Sequence, residues 1–401
     1  MAKALFLGLP LHGHTNPSLP LVRALVERGE EIVYFSSEPF AARIQEAGAR
    51  YRPYRNAFLA DLRELSERTD KISWLLMRTT GEVLAHELDA FRAERPDYII
   101  RDSVAPWGQW VGQILDVPVV TSVPTLAVNR RVLAFAAKSG TRPRSARVVL
   151  SKIRHIAKAV LLGRRLRRKH GVKGTGIMGL VLGSSGLNIV YTSRYFQPCG
   201  ESFDDRFLFI GPSIGSRTEA GDVPWDEASR TELIYVSLGT LFNADPAFYR
   251  NCFEAFGGQT VRVVMSIGAT TTAASLGAPP ANIVVKPWVA QLEMLRHASV
   301  FVSHGGMNSV SESLHYGVPL VVVPQMGEQE IIASRVEELG AGLRLAKTEV
   351  TADRLRQAVQ RVLGDGRFRK EAALVRESFD AAGGAVRGAD AILAFTRQVA
   401  G

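Results

Sequence analysis

The sequence has little cysteine and no long hydrophobic run, and these two absences exclude several classes of protein. Only two of its 401 residues are cysteines, Cys199 and Cys252, and they form no C-x-x-C pair. A zinc knuckle is therefore excluded and a disulfide framework is not expected, which fits a reducing, cytoplasmic environment. No apolar run reaches the roughly 18 residues of a membrane span. The first residues resemble a short signal peptide, but no small-residue cleavage site follows, and we interpret residues 4–9 as a buried strand.

Acidic residues are outnumbered by basic ones, 39 Asp and Glu against 49 Lys and Arg, which gives a formal net charge of +10. Such a surface favours anionic partners, although a solvated surface without a partner explains it equally well. The charge is densest at residues 152–169, where we predict a basic helix with an apolar stripe. We interpret it as a solvated face beside a substrate cleft, with a weak membrane-surface contact as the alternative. Nucleic acid is not an expected partner, because the segment has no aromatic side chain for base stacking.

Short apolar runs alternate with helix-period segments twice along the chain. The first series includes ALFLGL, EIVYFSS, DYIIRD, VPVVTSV and LNIVYTS, and the second includes LIYVSLG, VRVVMSIG, NIVVKPW, SVFVSHGG and VPLVVVP. Continuous runs of this kind are typical of parallel strands that helices cover on both faces. The sequence therefore predicts two doubly wound α/β domains.

The predicted domains span residues 1–212 and 231–383. The intervening segment, 213–230, is rich in Gly, Pro, Ser and charge, and is interpreted as a linker. Residues 384–401 are expected to form a final helix that packs back on the first domain. Because ligands of such sheets bind at the carboxyl ends of the strands, the functional residues should follow strands and line a cleft between the domains.

The segment HGGMNSVSE, residues 304–312, follows one of these strands and has the residues of a phosphate site. Its glycines, with Gly306 at the predicted helix start, permit a tight turn and close approach to free backbone N–H groups. His304, Asn308 and Ser309 can donate to phosphate oxygens, and Glu312 can accept from a ribose hydroxyl. Helix capping by Asn308 and Ser309, with His304 as an ordinary buried polar residue, remains the structural alternative.

Further binding residues follow neighbouring strands of the same domain. In PWVAQ, Trp288 is suited to stacking on a base, with Val289 beside it, and Gln291 can reach a ribose hydroxyl. In QMGEQE, Glu328 and Gln329 can bind sugar hydroxyls. The turn SLGT places Ser237, Gly239 and Thr240 near a phosphate.

Together the motifs WVAQ, HGGMNS and PQMGEQ resemble the nucleotide-sugar signature of inverting GT-B glycosyltransferases. The likeness to the bacterial macrolide and antibiotic group, which is related to the plant UDP-sugar enzymes, covers nearly the whole chain, including GHTNPSLPLVRALVERG near the start. The resemblance implies two Rossmann-like domains facing across a cleft. It also implies that Trp288 stacks on uracil and that Gln291 and Glu312 bind the ribose. The diphosphate would bind to His304, Asn308 and Ser309, and the sugar to Glu328 and Gln329. Met307 and Glu328 replace the Trp and Asp common in plant enzymes, with little consequence expected.

The catalytic base is expected in the first domain, in the segment LHGHTNP after the first strand. Asn16 and Pro17 have the pattern of a helix cap and first helical position, which would place His12 and His14 in the preceding loop. Either histidine has a suitable pKa for a general base. The resemblance selects His14, leaves His12 a structural role, and assigns Asp102 as the carboxylate that orients the imidazole.

The resemblance implies inverting transfer of a hexose, with UDP-glucose as the expected donor, to a small hydrophobic acceptor such as a polyketide, macrolide or polyphenol. No D-x-D triplet occurs, and neither a metal nor a bound cofactor is expected. Residues 55–90 and 130–185 are expected to line the acceptor pocket. Monomer and homodimer are both compatible with the sequence.

Four other functions are considered. A dTDP-deoxysugar transferase would share the fold and the base. A nucleotide-sugar epimerase would need catalytic carboxylates in place of His14, and a non-enzymatic anion-binding module would not need His14 at all. A dehydrogenase is disfavoured because the first strand-to-helix turn lacks G-x-G-x-x-G.

Overall fold

Two parallel sheets organise the chain, one in each half. The computed structural model describes residues 2–55, 71–139, 146–173, 186–215, 231–240 and 243–400. The first sheet has the strand order β3-β2-β1-β4-β5-β6-β7. Its strands are Lys3–Leu7 (β1), Glu31–Ser36 (β2), Arg50–Pro53 (β3), Tyr98–Asp102 (β4), Val119–Val123 (β5), Asn188–Val190 (β6) and Phe207–Phe209 (β7).

The second sheet has the order β10-β9-β8-β11-β12-β13. Its strands are Leu233–Ser237 (β8), Arg262–Ser266 (β9), Ile283–Lys286 (β10), Val300–Ser303 (β11), Leu320–Val322 (β12) and Gly342–Arg344 (β13). Every strand pair among the described residues is parallel. Both sheets reverse strand order beside their first strand, which is the doubly wound pattern with its ligand crevice at the carboxyl edge.

Helices cover both faces of each sheet. In the first half they are His12–Val26 (α1), Ala41–Glu46 (α2), Ile72–His86 (α3), Leu88–Glu94 (α4), Pro106–Leu115 (α5), Arg130–Lys138 (α6) and Ala146–His170 (α7). In the second half they are Pro246–Phe256 (α8), Gln291–His297 (α9), Met307–His315 (α10), Gly327–Glu338 (α11), Ala352–Gly364 (α12), Gly366–Asp380 (α13) and Gly384–Ala400 (α14). Short 3-10 turns occur at Glu38–Phe40, Gly200–Ser202, Ala273–Leu276 and Lys347–Glu349.

The central strand β1 shows why its apolar run is continuous. Leu5 and Leu7 pack on one side of the sheet against the core formed with Trp107, whereas Ala4 and Phe6 pack on the other side against α1. Successive side chains of a strand point to opposite faces, so a strand covered on both faces needs an apolar residue at every position.

The last helix, α14, packs on the first domain although it follows the second in sequence. Ala389 and Ile392 are fully buried in the same core as Leu21. At its edge the Nε of Arg28 donates to Asp390 Oδ1 at 2.7 Å. Residues 216–230, most of the predicted linker, lie outside the described residues.

The start of α1 differs from the sequence prediction. The helix begins at His12, not at Pro17, and its N-cap is Leu11, so Asn16 caps nothing and the two histidines lie in the first turn. Asn16 instead accepts from Arg43 through its Oδ1 at 2.7 Å. The Asn-Pro pair fits a helix start locally, but the backbone N–H groups of His14 and Thr15 already bond to the Leu11 carbonyl.

The predicted basic helix at 152–169 is part of α7. Its exposed side includes the apolar side chains of Leu150, Ile153 and Leu161 between basic residues. A solvated face and a membrane-surface contact both remain predictions for this helix. No helix within the described ranges is both long and apolar enough to cross a membrane.

Candidate active site

A hydrogen-bonded histidine and aspartate stand at the carboxyl edge of the first sheet. His14 Nδ1 lies 2.8 Å from Asp102 Oδ2, and the side chains are 14% and 3% exposed. Asp102 is the last residue of β4, and its Oδ1 accepts the backbone N–H of Val104 at 2.7 Å. The carboxylate is thereby held in place and orients the imidazole of His14. Nδ1 faces Asp102, and Nε2 is the ring nitrogen that does not contact it.

The electrostatic surroundings raise the pKa of His14 above its ordinary value. Burial alone would lower it, but the charge and hydrogen bond of Asp102 and the charge of Glu328 outweigh burial. Glu328 belongs to the second domain, which meets the first domain beside His14. The Glu328 residue is exposed to solvent, yet burial of its carboxyl group raises the pKa of that group, and the charge of His14 opposes the rise.

A second contact between the domains involves a proline inside α1. Pro17 has no N–H, so the carbonyl of Gly13, four residues earlier, lacks its usual helical donor. Asn308 Nδ2 lies 3.3 Å from this Gly13 oxygen. The first turn of α1 therefore meets the first turn of α10 directly beside His14.

The N-terminus of α10 is open toward the cleft. Its N-cap is Gly306, and no side chain caps it. Neither Asn308 nor Ser309 caps this helix, so the predicted capping alternative does not apply to them. A helix terminus without a side-chain cap has backbone N–H groups and a positive dipole end available to an anion, as the sequence predicts for this segment.

His304 stands beside this helix as a neutral, tightly enclosed imidazole. Burial lowers its pKa to about 4, although a hydrogen bond with the Ser237 backbone acts in the opposite direction. A Cβ added to Gly239 would lie 2.6 Å from its Cε1, and one added to Gly306 would lie 2.5 Å from its Nε2. Only glycine at both positions leaves room for the ring, which can contribute a hydrogen bond at neutral pH but no positive charge.

The remaining predicted nucleotide residues surround the same helix. Gln291 Nε2 donates to Glu312 Oε2 at 2.6 Å and lies 3.5 Å from Ser309 Oγ. The Tyr235 hydroxyl donates to Gln291 Oε1 at 3.3 Å. Trp288 is 50% exposed and presents a flat ring to the cleft, whereas Val289 is buried and supports it.

Two predicted residues lie at the turns that bound this region. Ser237 Oγ accepts the backbone N–H of Gly239 at 3.2 Å, which shapes the turn before Thr240. Gln329 is buried in the first turn of α11. Its Oε1 accepts the Gln325 backbone N–H at 2.8 Å, and its amide NH₂ takes no part in this bond.

A cleft of about 750 Å³ lies between the domains, with Thr240, Trp288, Asn308 and Glu312 in one wall and Asn16 and Pro17 in the other. Sequence reasoning missed Ser311, which lines the cleft with a buried hydroxyl that has no partner among the described residues. Ser311 follows Asn308 by three residues and therefore lies on the same helix face, so the sequence could have indicated it as a residue lining the cleft.

A separate cavity of about 310 Å³ lies in the first domain beside Asp102. It is mainly apolar and includes Ile72, Leu76 and Met77 of α3 together with Ser103 and Val104. The predicted acceptor segment 55–90 thus contributes to it, although residues 56–70 lie outside the described part. None of the described residues of the other predicted segment, 130–185, lines this cavity. Helix α7 within that segment packs against the outside of α3, where Leu166 faces Gly81.

No group of three or more His, Cys, Asp or Glu side chains in the described ranges is arranged to hold a metal ion.

The fold places the chain in the GT-B class of glycosyltransferases. The crystal structure of CalG4, the calicheamicin glycosyltransferase, matches over 100% of both chains with a TM-score of 0.82 and 29% sequence identity. The predicted architecture of two facing Rossmann-like α/β domains is confirmed.

Sequence relatives narrow the class. Residues 253–384 match the family model of the erythromycin biosynthesis protein CIII-like C-terminal domain. The NDP-glycosyltransferase YjiC of Bacillus subtilis is 38% identical over 400 residues, covering 98% of this chain and 97% of its own. Demethyllactenocin mycarosyltransferase of Streptomyces fradiae is 35% identical over 408 residues, covering 98% and 86%. The chain therefore belongs to the bacterial macrolide and antibiotic glycosyltransferase family.

Proposed function

We propose that this glycosyltransferase is an inverting, metal-independent enzyme that moves a hexose, preferentially glucose, from a UDP-sugar to a hydroxyl of a small hydrophobic acceptor. The observation that carries the proposal is the 2.8 Å bond between His14 and Asp102. It directs Nε2 of a partly buried imidazole away from the carboxylate, at the edge where the domains meet. That is the arrangement a general base needs.

The proposed reaction is a single displacement. His14 Nε2 takes the proton of the acceptor hydroxyl as the acceptor oxygen forms a bond to the anomeric carbon. The bond from that carbon to the diphosphate oxygen breaks at the same time, and UDP leaves with the electron pair. Attack from the side opposite the leaving group inverts the anomeric configuration. Asp102 stabilises the imidazolium formed in this step.

The second domain is proposed to hold the donor. Trp288 stacks on uracil, Gln291 and Glu312 bind the ribose, and the N-terminus of α10 receives the diphosphate together with His304, Asn308, Ser309 and Thr240. Because His304 is neutral, the helix dipole and the hydrogen-bond donors supply most of the stabilisation of the leaving diphosphate. Glu328 and Gln329 bind hydroxyls of the sugar.

Removal of divalent metal is expected to leave turnover unchanged, since this helix N-terminus takes the role that a metal has in other transferases. The measurement is the initial rate of glucosyl transfer before and after dialysis against EDTA. A loss of activity that added Mg²⁺ restores, and that EDTA pre-loaded with Mg²⁺ does not cause, would refute the metal-independent mechanism.

Replacement of Asp102 by Asn is expected to lower kcat and to move the acid limb of the pH–rate profile to lower pH. The charge of Asp102 raises the pKa of His14 against the effect of burial, so its removal lets burial lower that pKa. The base then stays deprotonated at lower pH, although the imidazolium formed during transfer loses its counter-charge. We expect a loss of at least about tenfold at the pH optimum. An unchanged acid limb would show that His14 does not govern it.

A dTDP-deoxysugar transferase is the second candidate, because the Streptomyces fradiae relative is named for the transfer of mycarose. A carboxylate and an amide at the sugar site favour a donor that has hydroxyls to pair with them. The deciding experiment is a mass-spectrometric screen of UDP- and dTDP-sugars against polyketide and flavonoid acceptors. The NMR coupling constant of the anomeric proton of the product then tests inversion: UDP-α-glucose should give a β-glucoside.

A further inference from the structure

The last two residues of β4, Arg101 and Asp102, point to opposite faces of the first sheet. Asp102 points toward α1 and His14, so the preceding residue, Arg101, points toward α3 and α5. The strand register pairs Arg101 with Thr121, Thr121 with Asn188, and Asn188 with Phe207. All four line the 310 Å³ cavity. One row of side chains across four strands therefore forms a wall of the cavity, with a guanidinium at the end nearest Asp102.

The charge of this guanidinium is not paired within the described structure. Arg101 is 1% exposed, and none of the described acidic residues forms an ion pair with it. Its Nη1 donates to the carbonyl oxygens of Asp102 and Ser103, at 3.3 and 3.2 Å. Its Nε is buried without a partner. The Nε edge of the fork, which is the edge that can bind a carboxylate side-on, is therefore left unused.

The sequence makes room for this side chain. A Cβ on Gly108, in the first turn of α5, would collide with the Cβ of Arg101. Burial lowers the pKa of Arg101 to about 10, against the opposing effect of the Asp102 charge, so it stays protonated at neutral pH. A buried cation in a mainly apolar cavity is costly unless an anion or several hydrogen bonds compensate it.

We propose that Arg101 binds an anionic oxygen of the acceptor, a carboxylate or an acidic enolate or phenolate, within the 310 Å³ cavity. The proposal rests on the proposed function in taking this cavity as the acceptor site. The anionic group binds the Nε edge of Arg101, and the apolar body of the acceptor fills the space against Leu76 and Met77. Arg101 and Asp102 are consecutive residues at the carboxyl edge of β4, so the acceptor hydroxyl reaches His14 by passing this edge from the opposite face of the sheet.

The preferred acceptor is therefore an apolar molecule with two oxygen functions, one anionic and one a hydroxyl that receives the sugar. Arg101 discriminates between acceptors and takes no part in proton transfer. A merely structural role, in which its bonds to the Asp102 and Ser103 carbonyls hold the loop that carries Asp102, would affect charged and neutral acceptors alike.

The test compares two acceptors of nearly equal shape, 6-hydroxy-2-naphthoic acid and 6-hydroxy-2-naphthamide, with UDP-glucose as donor. The wild type should favour the acid by about tenfold or more in kcat/KM, the range of a charge-assisted hydrogen bond. Arg101→Gln should abolish this preference by raising KM for the acid about tenfold more than KM for the amide, while the affinity for UDP stays unchanged. Arg101→Lys should restore part of the preference. Arg130→Gln, at an exposed position on α6, is the matched control.

Equal use of both acceptors by the wild type would overturn the proposal, as would an equal loss for both in Arg101→Gln. If that variant does not fold, calorimetry of the wild type with 2-naphthoic acid and 2-naphthamide decides, because these compounds lack the reacting hydroxyl. Tighter binding of the acid supports the proposal, and equal binding refutes it. The calorimetry also separates the two claims: absence of all sugar transfer with retained preference for the acid would reject the proposed function alone.

Discussion

Replacing His14 with alanine is expected to lower kcat for glucosyl transfer at least about a hundredfold, the lower end of what a general base contributes. The affinity for UDP should stay unchanged, because the proposed nucleotide site lies in the second domain. Asp102 would remain in place, bonded to the Val104 N–H, but with no imidazole to orient. The measurements are steady-state rates with a phenolic acceptor and calorimetric titration with UDP.

His12→Ala is the matched comparison for this variant. The His12 ring packs edge-on against Phe40, with ring centroids 4.9 Å apart, whereas His14 carries the bond to Asp102. Its loss should lower the melting temperature, and it should lower kcat far less than His14→Ala does. Transfer that survives in His14→Ala, or a collapse of UDP affinity there, would show that the base has been assigned to the wrong residue.

Replacing Glu328 with alanine is expected to lower kcat/KM with UDP-glucose at least about tenfold, the range of a hydrogen bond to a charged group. A site built to bind a hydroxyl loses its discrimination when the residue that binds the hydroxyl is removed. UDP should still bind, because Trp288 and the α10 N-terminus lie elsewhere. The wild type should also prefer UDP-glucose to a dTDP-sugar that lacks hydroxyls at the contacted positions. A wild type that uses the deoxysugar better would make the dTDP-deoxysugar transferase the correct function.

Glu328→Gln separates the two effects of this side chain. The amide keeps the size and much of the hydrogen-bonding capacity of the carboxylate, but it removes the negative charge that raises the pKa of His14. Its acid limb should therefore move to lower pH, in the same direction as that of Asp102→Asn. Glu338→Gln, at the exposed end of α11, controls for a general change in charge.

The sequence predicts the two sheets well because strands buried on both faces are continuous apolar runs in the sequence, as in ALFLGL and VPLVVVP. The end of each such run also locates residues such as Asp102 and Ser303. The start of α1 was predicted wrongly because the local preference of Pro17 for a first helical turn is real, but it is overridden by the packing of α1 on the sheet.

The site is predictable only where a motif lies within one segment. His304, Asn308 and Glu312 share one strand and helix, so their proximity follows from local geometry. The local sequence does not distinguish His14 from His12. The choice depends on the pairing of β4 with β1, which brings His14 next to Asp102, a residue 88 positions away in the chain. The row that begins at Arg101 depends on strand register across four strands, which composition and periodicity do not determine.

The proline inside α1 also bears on how the two domains meet. The carbonyl that Pro17 leaves without a helical donor, that of Gly13, lies next to His14 and is contacted by Asn308. An amide nitrogen carries two hydrogens, so Asn308 can donate one to Gly13 and keep the other for a ligand. If the diphosphate binds at Asn308 as proposed, its presence would stabilise this contact beside the base, and by reciprocity a bound acceptor would strengthen nucleotide binding.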